Sequence, residues 1–415
     1  MLTMGTWHHA WLVLLVIFSG GLVVSKLSEK ARIPDVAAYL LYGILIGPAV
    51  LHWIQVPSQS EVNQFILNLG ATLILFEGGR GVQLEMLKRV WLSISLLATL
   101  GIFVTAFVVG VGTHLLLHTP WMLSFLVGAV IAPTDPATLI PVFQRVPVLP
   151  KLQQTAESES AFNDATGTVL VVTLLAASAA GGALHWGSAA LTFVESAGLS
   201  IVIGLAFGIA VLVLVSRRAW GLFYEFGSMV FFVAAIGAYA SAVALHASGF
   251  MAAFVAGIIA GNGPAFGWSL EPHTEANVHH FYNVITFMMR MAIFVLLGAQ
   301  VNFGLVHRYL WGGLAVVGLF MIVGRPMAVL ASMLPDRRAQ WQRRELGFMF
   351  WVRETGVIPA ALAGMVVARG VAGGKIVAAI TFLAILLTIL IQASTTGVAA
   401  RWLGVLVPEE TMEDL

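Results

Sequence analysis

The chain alternates long apolar runs with short polar interruptions from one end to the other. A helix that crosses a bilayer needs about 20 mostly apolar residues. Broken at its charge clusters and Gly/Pro turns, the sequence yields about thirteen such segments. They lie near 8–26, 35–53, 60–79, 90–116, 121–144, 154–180, 188–215, 224–245, 249–262, 280–300, 308–334, 345–368 and 375–403. The pattern predicts an all-α polytopic membrane protein. The first run, Trp11 to Val24, lacks a basic stretch before it and a small-residue cleavage site after it. It is expected to be a retained helix, not a signal peptide.

Two segments are interrupted. The fifth carries Pro133 and Pro136 around Asp135, and the twelfth carries Gly356 and Pro359 just after Arg353-Glu354. An odd total suits a transporter plan of two inverted six-helix repeats joined by one linking helix. Pairing segments 1–6 with 8–13 matches the fifth to the twelfth. Discontinuous helices at corresponding places point to a binding site near the bilayer midplane. Plain proline kinks are the blander reading, and the adjacent charges weigh against it.

Composition agrees with the pattern and narrows it. The 415 residues are 59% hydrophobic and 10% charged, against roughly 25% charged in a soluble domain. A net charge of +1 gives no case for nucleic acid, and the absence of cysteine removes disulfides and thiolate metal sites. Loop charges choose an orientation. Lys26, Lys30, Arg32, Arg80, Lys88, Arg89, Arg145, Lys151, Arg217, Arg218, Arg337, Arg338, Arg343, Arg344 and Arg401 fall on one side of the segment count. Arg308, Arg369 and Lys375 fall on the other. The positive-inside rule makes the rich side cytoplasmic, so the N-terminus is expected outside and the C-terminus inside, ending in a short tail over 405–415.

The chemistry is concentrated between Pro133 and Thr168. Thr134-Asp135-Pro136 and Glu159-Ser160-Ala161-Phe162-Asn163-Asp164 stand inside greasy surroundings, where an ionisable group costs at least about 2.5–3.5 kcal/mol. Glu159 and Asn163 are four residues apart, as are Ser160 and Asp164, so each pair shares a helix face. That face must look into the protein or a water-filled cavity. Asp164, about a third of the way along the predicted segment, is the leading candidate for a titrating carboxylate. Asp135, Thr134 and Ser160 supply oxygens beside it, the donor type that alkali cations prefer. The blander reading has Asp135 capping a half-helix and Asp164 as a buried structural acid.

Other polar residues have divided readings. Arg325, between Gly324 and Pro326, needs a carboxylate partner, and Glu159 is the one expected. Arg353 with Glu354 reads better as an interfacial pair at a helix end than as part of the site. Glu77 either lines an inner funnel or is solvated at the interface. Tyr224 and Glu225 read as interfacial, and His8, His9, His279 and His280 as surface groups, the last two able to add pH sensitivity.

These residues resemble a known family, the NhaP-type sodium/proton antiporters of the monovalent cation/proton antiporter superfamily. The resemblance is carried by Ala132–Phe143 and by Glu159-Ser-x-x-Asn-Asp164. Ile33-Pro34, Tyr39–Pro48, Phe76-Glu-Gly-Gly79 and Ser248–Gly257 support it, in order over most of the chain. It implies Na⁺ (or Li⁺) exchange for H⁺ at Asp164, helped by Asp135, Thr134 and Ser160, with Asn163 and the Glu159–Arg325 pair as supporting structure. It also implies a homodimer in a prokaryotic inner membrane, with interface parts 1–89 and 182–304 and core parts 90–181 and 305–404. The seventh, linking helix falls in 182–304, and the resemblance implies that the discontinuous helices 5 and 12 cross in the core. Asn163 before Asp164, where electrogenic relatives carry a second Asp, suggests electroneutral one-for-one exchange. One departure is Val352-Arg353-Glu354-Thr355-Gly356, where the family usually reads Leu-Arg-Gly-Ala. It weakens the carry-over for Arg353 and leaves Na⁺ against K⁺ open.

The expected mechanism is competition of cation and proton for Asp164, with the core moving only when that charge is neutralised. No cofactor is expected beyond the transported ions. A K⁺/H⁺ antiporter is the near rival and a cation channel a distant one. An intramembrane enzyme is disfavoured, since no Gly-x-Ser-x-Gly elbow or His-Glu-x-x-His motif is present.

Overall fold

In hydrocarbon every backbone amide must be paired within the protein, so apolar runs coil into helices. The computed structural model describes residues 2–3, 7–31, 34–55, 57, 60–179, 186–217 and 220–407, and it is almost wholly α-helical. Among these residues, nine helical spans are long and apolar enough to cross a membrane. They are Trp11–Lys30, Leu84–Leu117, Trp121–Arg145, Pro150–Ser178, Leu191–Val215, Tyr224–Ala244, Pro272–Ala299, Leu310–Met333 and Gly374–Leu403. Three shorter apolar helices, Asp35–Ile46, Gly249–Gly261 and Val357–Ala368, lie among them. The polar-ended Glu61–Arg80 helix is opened by a Ser60 cap that accepts from the Asn63 N–H.

Close packing follows small residues, as it does where lipid supplies no hydrophobic drive. A Cβ on Gly43 would strike the Val295 carbonyl, so Asp35–Ile46 lies hard against Pro272–Ala299. Glu61–Arg80 likewise meets Gly249–Gly261 through Gly79 and Gly257. Three π-helical turns, Leu97–Gly101, Phe320–Gly324 and Thr388–Ala393, interrupt otherwise α-helical spans. Such turns cluster at functional places because each re-aims the side chains that follow it.

Contacts between loops sort them into two ends. Asn262 binds the backbone at Val82 and Leu84, Ser93 binds Asp336, Lys151 binds Glu345, and Arg344 reaches the Gly404 carbonyl. These connections gather the arginine-rich loops at one end. Pro48, Ala49, Gln55, Pro57, residues 299–305, Val367, Ala368 and Lys375 line a common pocket at the other. Exposed tryptophans mark both ends: Trp11, Trp53, Trp121 and Trp311 at the basic-poor one, Trp91, Trp220 and Trp402 at the basic one.

Several helices begin earlier than hydropathy alone predicts. The fourth segment starts at Leu84, the sixth at Pro150 and the tenth at Pro272. Their N-terminal stretches carry charged or polar residues that the apolar count discards, such as Lys88, Lys151 and His279. The expected tail at 405–415 is tied down where described: the Leu149 N–H donates to the Val405 carbonyl at 2.9 Å.

Candidate functional site

Pro133 and Pro136 bracket Asp135, and neither has a backbone N–H to continue a helix. Trp121–Ile131 therefore stops before them and Pro136–Arg145 starts after. A helix start leaves unsatisfied amides and a positive end. Asp135 meets both, accepting from the Ala137 N–H at 3.3 Å and from the Thr138 hydroxyl at 2.6 Å. A second break, 352–356, separates Arg343–Trp351 from Val357–Ala368 and passes directly by the first. The Asp135 N–H donates to the Glu354 carbonyl at 2.9 Å. A Cβ on Gly356 would run into the Asp135 carboxylate. The carboxylate thus lies against the starts of two half-helices at once.

The negative ends of the other two halves are met by arginine. Arg325 donates from Nε to the Met349 carbonyl at 2.9 Å and from Nη2 to the Val352 carbonyl at 3.2 Å, at the end of Arg343–Trp351. It also takes Glu159 in a two-pronged pair at 2.5 and 2.9 Å, and both residues are buried. Its place directly after the π-helical turn Phe320–Gly324 aims it inward. Arg353 reaches the Ile131 carbonyl at 3.4 Å, at the end of Trp121–Ile131, and its guanidinium lies 4.5 Å from the centre of the Phe320 ring.

The Pro150–Ala179 helix presents the remaining groups. Asn163 clamps the first break, accepting from the Thr134 N–H at 3.2 Å and donating to the Thr134 hydroxyl at 2.8 Å. The Thr134 and Ser160 hydroxyls share a hydrogen bond of 2.6 Å. Asp164 is 1% exposed, and neither carboxylate oxygen has a hydrogen-bond partner. Because the helix begins at Pro150, Asp164 stands near its middle rather than a third of the way along.

A cavity of about 860 Å³ reaches Asp164. Its walls come from Thr168, Val172, Thr173 and Ala177 on that helix, from Thr192 and Ser196, and from Tyr239 to Phe250 on the neighbouring pair. Those residues lead toward the end away from the arginine-rich loops. Among the described residues, Asp164 is its one acidic wall residue.

The structure separates the other candidates from this centre. Glu77 pairs with Arg80 at 2.6 Å on its own helix, with His279 Nδ1 3.8 Å away. Arg80 in turn lies over the Phe231 and Tyr282 rings. His280 is exposed, Tyr224 donates to Glu225, and the side chains of His8 and His9 lie outside the described residues. The interfacial reading of Arg353 and Glu354 is wrong: both are buried in the crossing, because the helix end that Arg353 serves is internal. Sequence reasoning missed Thr138, Thr388 and Gln392. Thr138 has a recognisable signal, three residues after a capping Asp. Thr388 accepts from the Thr355 N–H and Gln392 donates to the Trp351 carbonyl, and no local pattern links residues so distant.

A family model described as sodium/hydrogen exchanger, transmembrane, matches residues 13–402. A protein named probable Na⁺/H⁺ antiporter 2, from Methanocaldococcus jannaschii, is 30% identical over 85% of this chain and 83% of its own length. A protein named K⁺/H⁺ antiporter NhaP, from Alkalimonas amylolytica, is 27% identical over 97% of this chain and 68% of its own. A solved structure of the sodium proton antiporter MjNhaP1 of M. jannaschii at pH 8 superposes with a TM-score of 0.73 at 28% identity, covering 94% of this chain and 97% of that one.

Proposed function

Since this chain belongs to the family of transmembrane sodium/hydrogen exchangers, we propose how its buried centre carries out the exchange. The protein is an integral membrane antiporter, not an enzyme, and moves monovalent cations against protons by alternating access. Asp164 is the exchanging carboxylate. The observation that carries this reading is its isolation: buried, unpartnered and at the head of a cavity whose walls are mostly apolar. A carboxylate in that state favours a proton or a cation over bare charge. The two compete for it, and either one neutralises the core for its passage.

Oxygens from Ser160, Thr134 and Asp135 complete the cation's surroundings, while Asn163 and the Glu159–Arg325 pair hold the breaks in place. Na⁺ or Li⁺ is the proposed cation, exchanged one-for-one. K⁺ is the second reading, favoured by relatives named as K⁺/H⁺ antiporters.

The proposed architecture is thirteen spans in two inverted six-helix repeats, with crossed helices at 121–145 and 343–368. The π-helical turns at 97–101 and 320–324 fall in the fourth and eleventh spans, which such a repeat would pair. Interface parts 1–89 and 182–304 would flank core parts 90–181 and 305–404 in a homodimer. With the basic loops cytoplasmic, the N-terminus lies outside an inner membrane, the C-terminus inside, and the cavity at Asp164 opens outward.

The test is proton flux in proteoliposomes with an imposed pH gradient. Na⁺, Li⁺ or K⁺ is added in turn with membrane potential clamped. Cation-triggered collapse that disappears in Asp164→Asn supports the reading and names the ion. Robust exchange by folded Asp164→Asn would sink it.

A further inference from the structure

Two cavities adjoin at the arginine-rich end, away from the crossing, and the exchange described above uses neither. The first, of about 450 Å³, is a surface groove between the helices Trp186–Val215 and Gly227–Ala244. Phe207, Val211 and Leu214 form one bank and Phe226, Met229 and Val233 the other, and its described walls are wholly apolar. Phe226, Met229 and Val233 are exposed, so the groove is open to acyl chains. From Phe226 to Ala234 it runs about 12 Å, most of the hydrocarbon depth of one leaflet.

The second cavity, of about 590 Å³, is polar and shares Phe226 and Met229 with the groove. It lies where Gly227–Ala244 and Pro272–Ala299 begin. The loop leading into it carries exposed Trp220, and an indole prefers the headgroup level. Among the described residues it is lined by one guanidinium, Arg217, and two carboxylates, Glu225 and Glu271. Arg217 lies over the Tyr224 ring at 3.8 Å and meets Glu271 at 3.0 Å, and Tyr224 donates to Glu225 at 2.6 Å. The side chains of Arg217 and Glu271 are about half exposed, within reach of an incoming headgroup. Charges of both signs thus stand at the polar end of an apolar slot.

We propose that the joined cavities bind one phospholipid with a zwitterionic, primary-amine headgroup, a phosphatidylethanolamine, its tail in the groove and its head in the pocket. A phospholipid carries an apolar chain and a charged head in the order the two cavities present them. Its phosphate accepts from Arg217, and its ammonium donates to Glu271 and Glu225. Two carboxylates against one guanidinium repel a headgroup that is only anionic, and a quaternary choline has no N–H to donate to them. With the basic loops cytoplasmic, the lipid belongs to the inner leaflet. Bound there, it ties Arg217 and Phe226 to the start of Pro272–Ala299 and stabilises the folded chain by mass action. None of this depends on the role of Asp164.

The test is the melting temperature of the full chain, stripped of lipid in detergent and titrated with phosphatidylethanolamine, phosphatidylglycerol or phosphatidylcholine of the same acyl chains, or with O-phosphoethanolamine. Half-maximal stabilisation should need an about tenfold lower concentration of phosphatidylethanolamine than of either other lipid, as one hydrogen bond between charged groups implies. The double change Arg217→Gln with Glu271→Gln should erase that preference. Glu271→Gln alone should weaken it, and serves where the double variant does not fold. Val233→Trp fills the groove and should weaken the response to all three lipids. No response, an equal response to the three lipids, or a stronger one to phosphatidylglycerol overturns the proposal. So does a preference that survives the loss of both charges. O-phosphoethanolamine as effective as the whole lipid overturns it too, since the groove would then be idle. If Val233→Trp breaks an oligomer and leaves the lipid response unchanged, a second copy of the chain covers the groove and the proposal falls.

Discussion

Asp135 and Asp164 are both buried, yet their surroundings differ. Asp135 has its hydrogen bonds supplied by Ala137 and Thr138 and faces two helix starts, so it holds the crossing together. Asp164 has none, which suits the exchanging role proposed for it. Replacing Thr138 by Val removes a hydrogen bond to a charged group, worth about 1.5–3 kcal/mol. It should lower the melting temperature and raise the apparent KM for cation, read from unfolding in detergent and from flux titrations. Gly356→Ala puts a methyl where the Asp135 carboxylate lies, and exchange should fall to near background with the protein still inserted. Glu159→Gln strands Arg325 at a cost of about 3–5 kcal/mol. The double change Glu159→Leu with Arg325→Met should restore most of that loss in the same melts; a double variant no more stable than the single would show that the pair does more than balance charge. The acidic motif residues were legible in the sequence because charge in a greasy segment needs a reason. That Asp135 is fully partnered and Asp164 is not could not be read there, since it depends on Ala137 and Thr138, two and three residues on, in one case and on no partner in the other.

Both breaks divide a helix into halves whose ends are matched by charge, with Asp135 at the starts and Arg325 and Arg353 at the finishes. The proline and glycine positions announced the interruptions. They did not announce the brackets that fix the second one, Thr388 and Gln392 on the π-helical turn Thr388–Ala393. A π turn has no composition of its own, and long-range side-chain brackets leave no local period. Arg353-Glu354 was misread for the same reason: a charged pair before an apolar run looks like a membrane border unless the preceding half-helix is known to be inside. Gln392→Leu frees the Trp351 carbonyl and loosens the break without touching an acid. It should cost about 1–3 kcal/mol of stability and slow exchange at unchanged ion preference, measurable as a lower kcat with the same order among Na⁺, Li⁺ and K⁺.

At the scale of the whole molecule, the end that carries the arginine-rich loops is held shut by contacts between the two proposed parts. Arg145 lies 3.4 Å from Asp35, and Arg290 reaches both Asp35 at 3.9 Å and Gln144 at 3.3 Å. Asp35 and Arg290 stand on helices of the proposed interface part, Gln144 and Arg145 at the foot of a broken helix of the proposed core. The native chain has no cysteine, so cysteines placed at 35 and 145 can be bridged by a bifunctional thiol reagent without background labelling. Bridging should arrest exchange, and cleaving the bridge should restore it. Undiminished exchange in the bridged protein would mean that these elements do not part during the cycle. The tryptophans bear on the same motion. Trp91, Trp121, Trp311 and Trp402 belong to the spans proposed to move, Trp11, Trp53 and Trp220 to those proposed to stay. Indole rings prefer the headgroup level, so two sets of anchors fix two parts of one protein to the same pair of surfaces. Any sliding of one part along the membrane normal drags its rings out of register with the lipid, and the bilayer then acts as a spring whose rest length is the acyl-chain thickness.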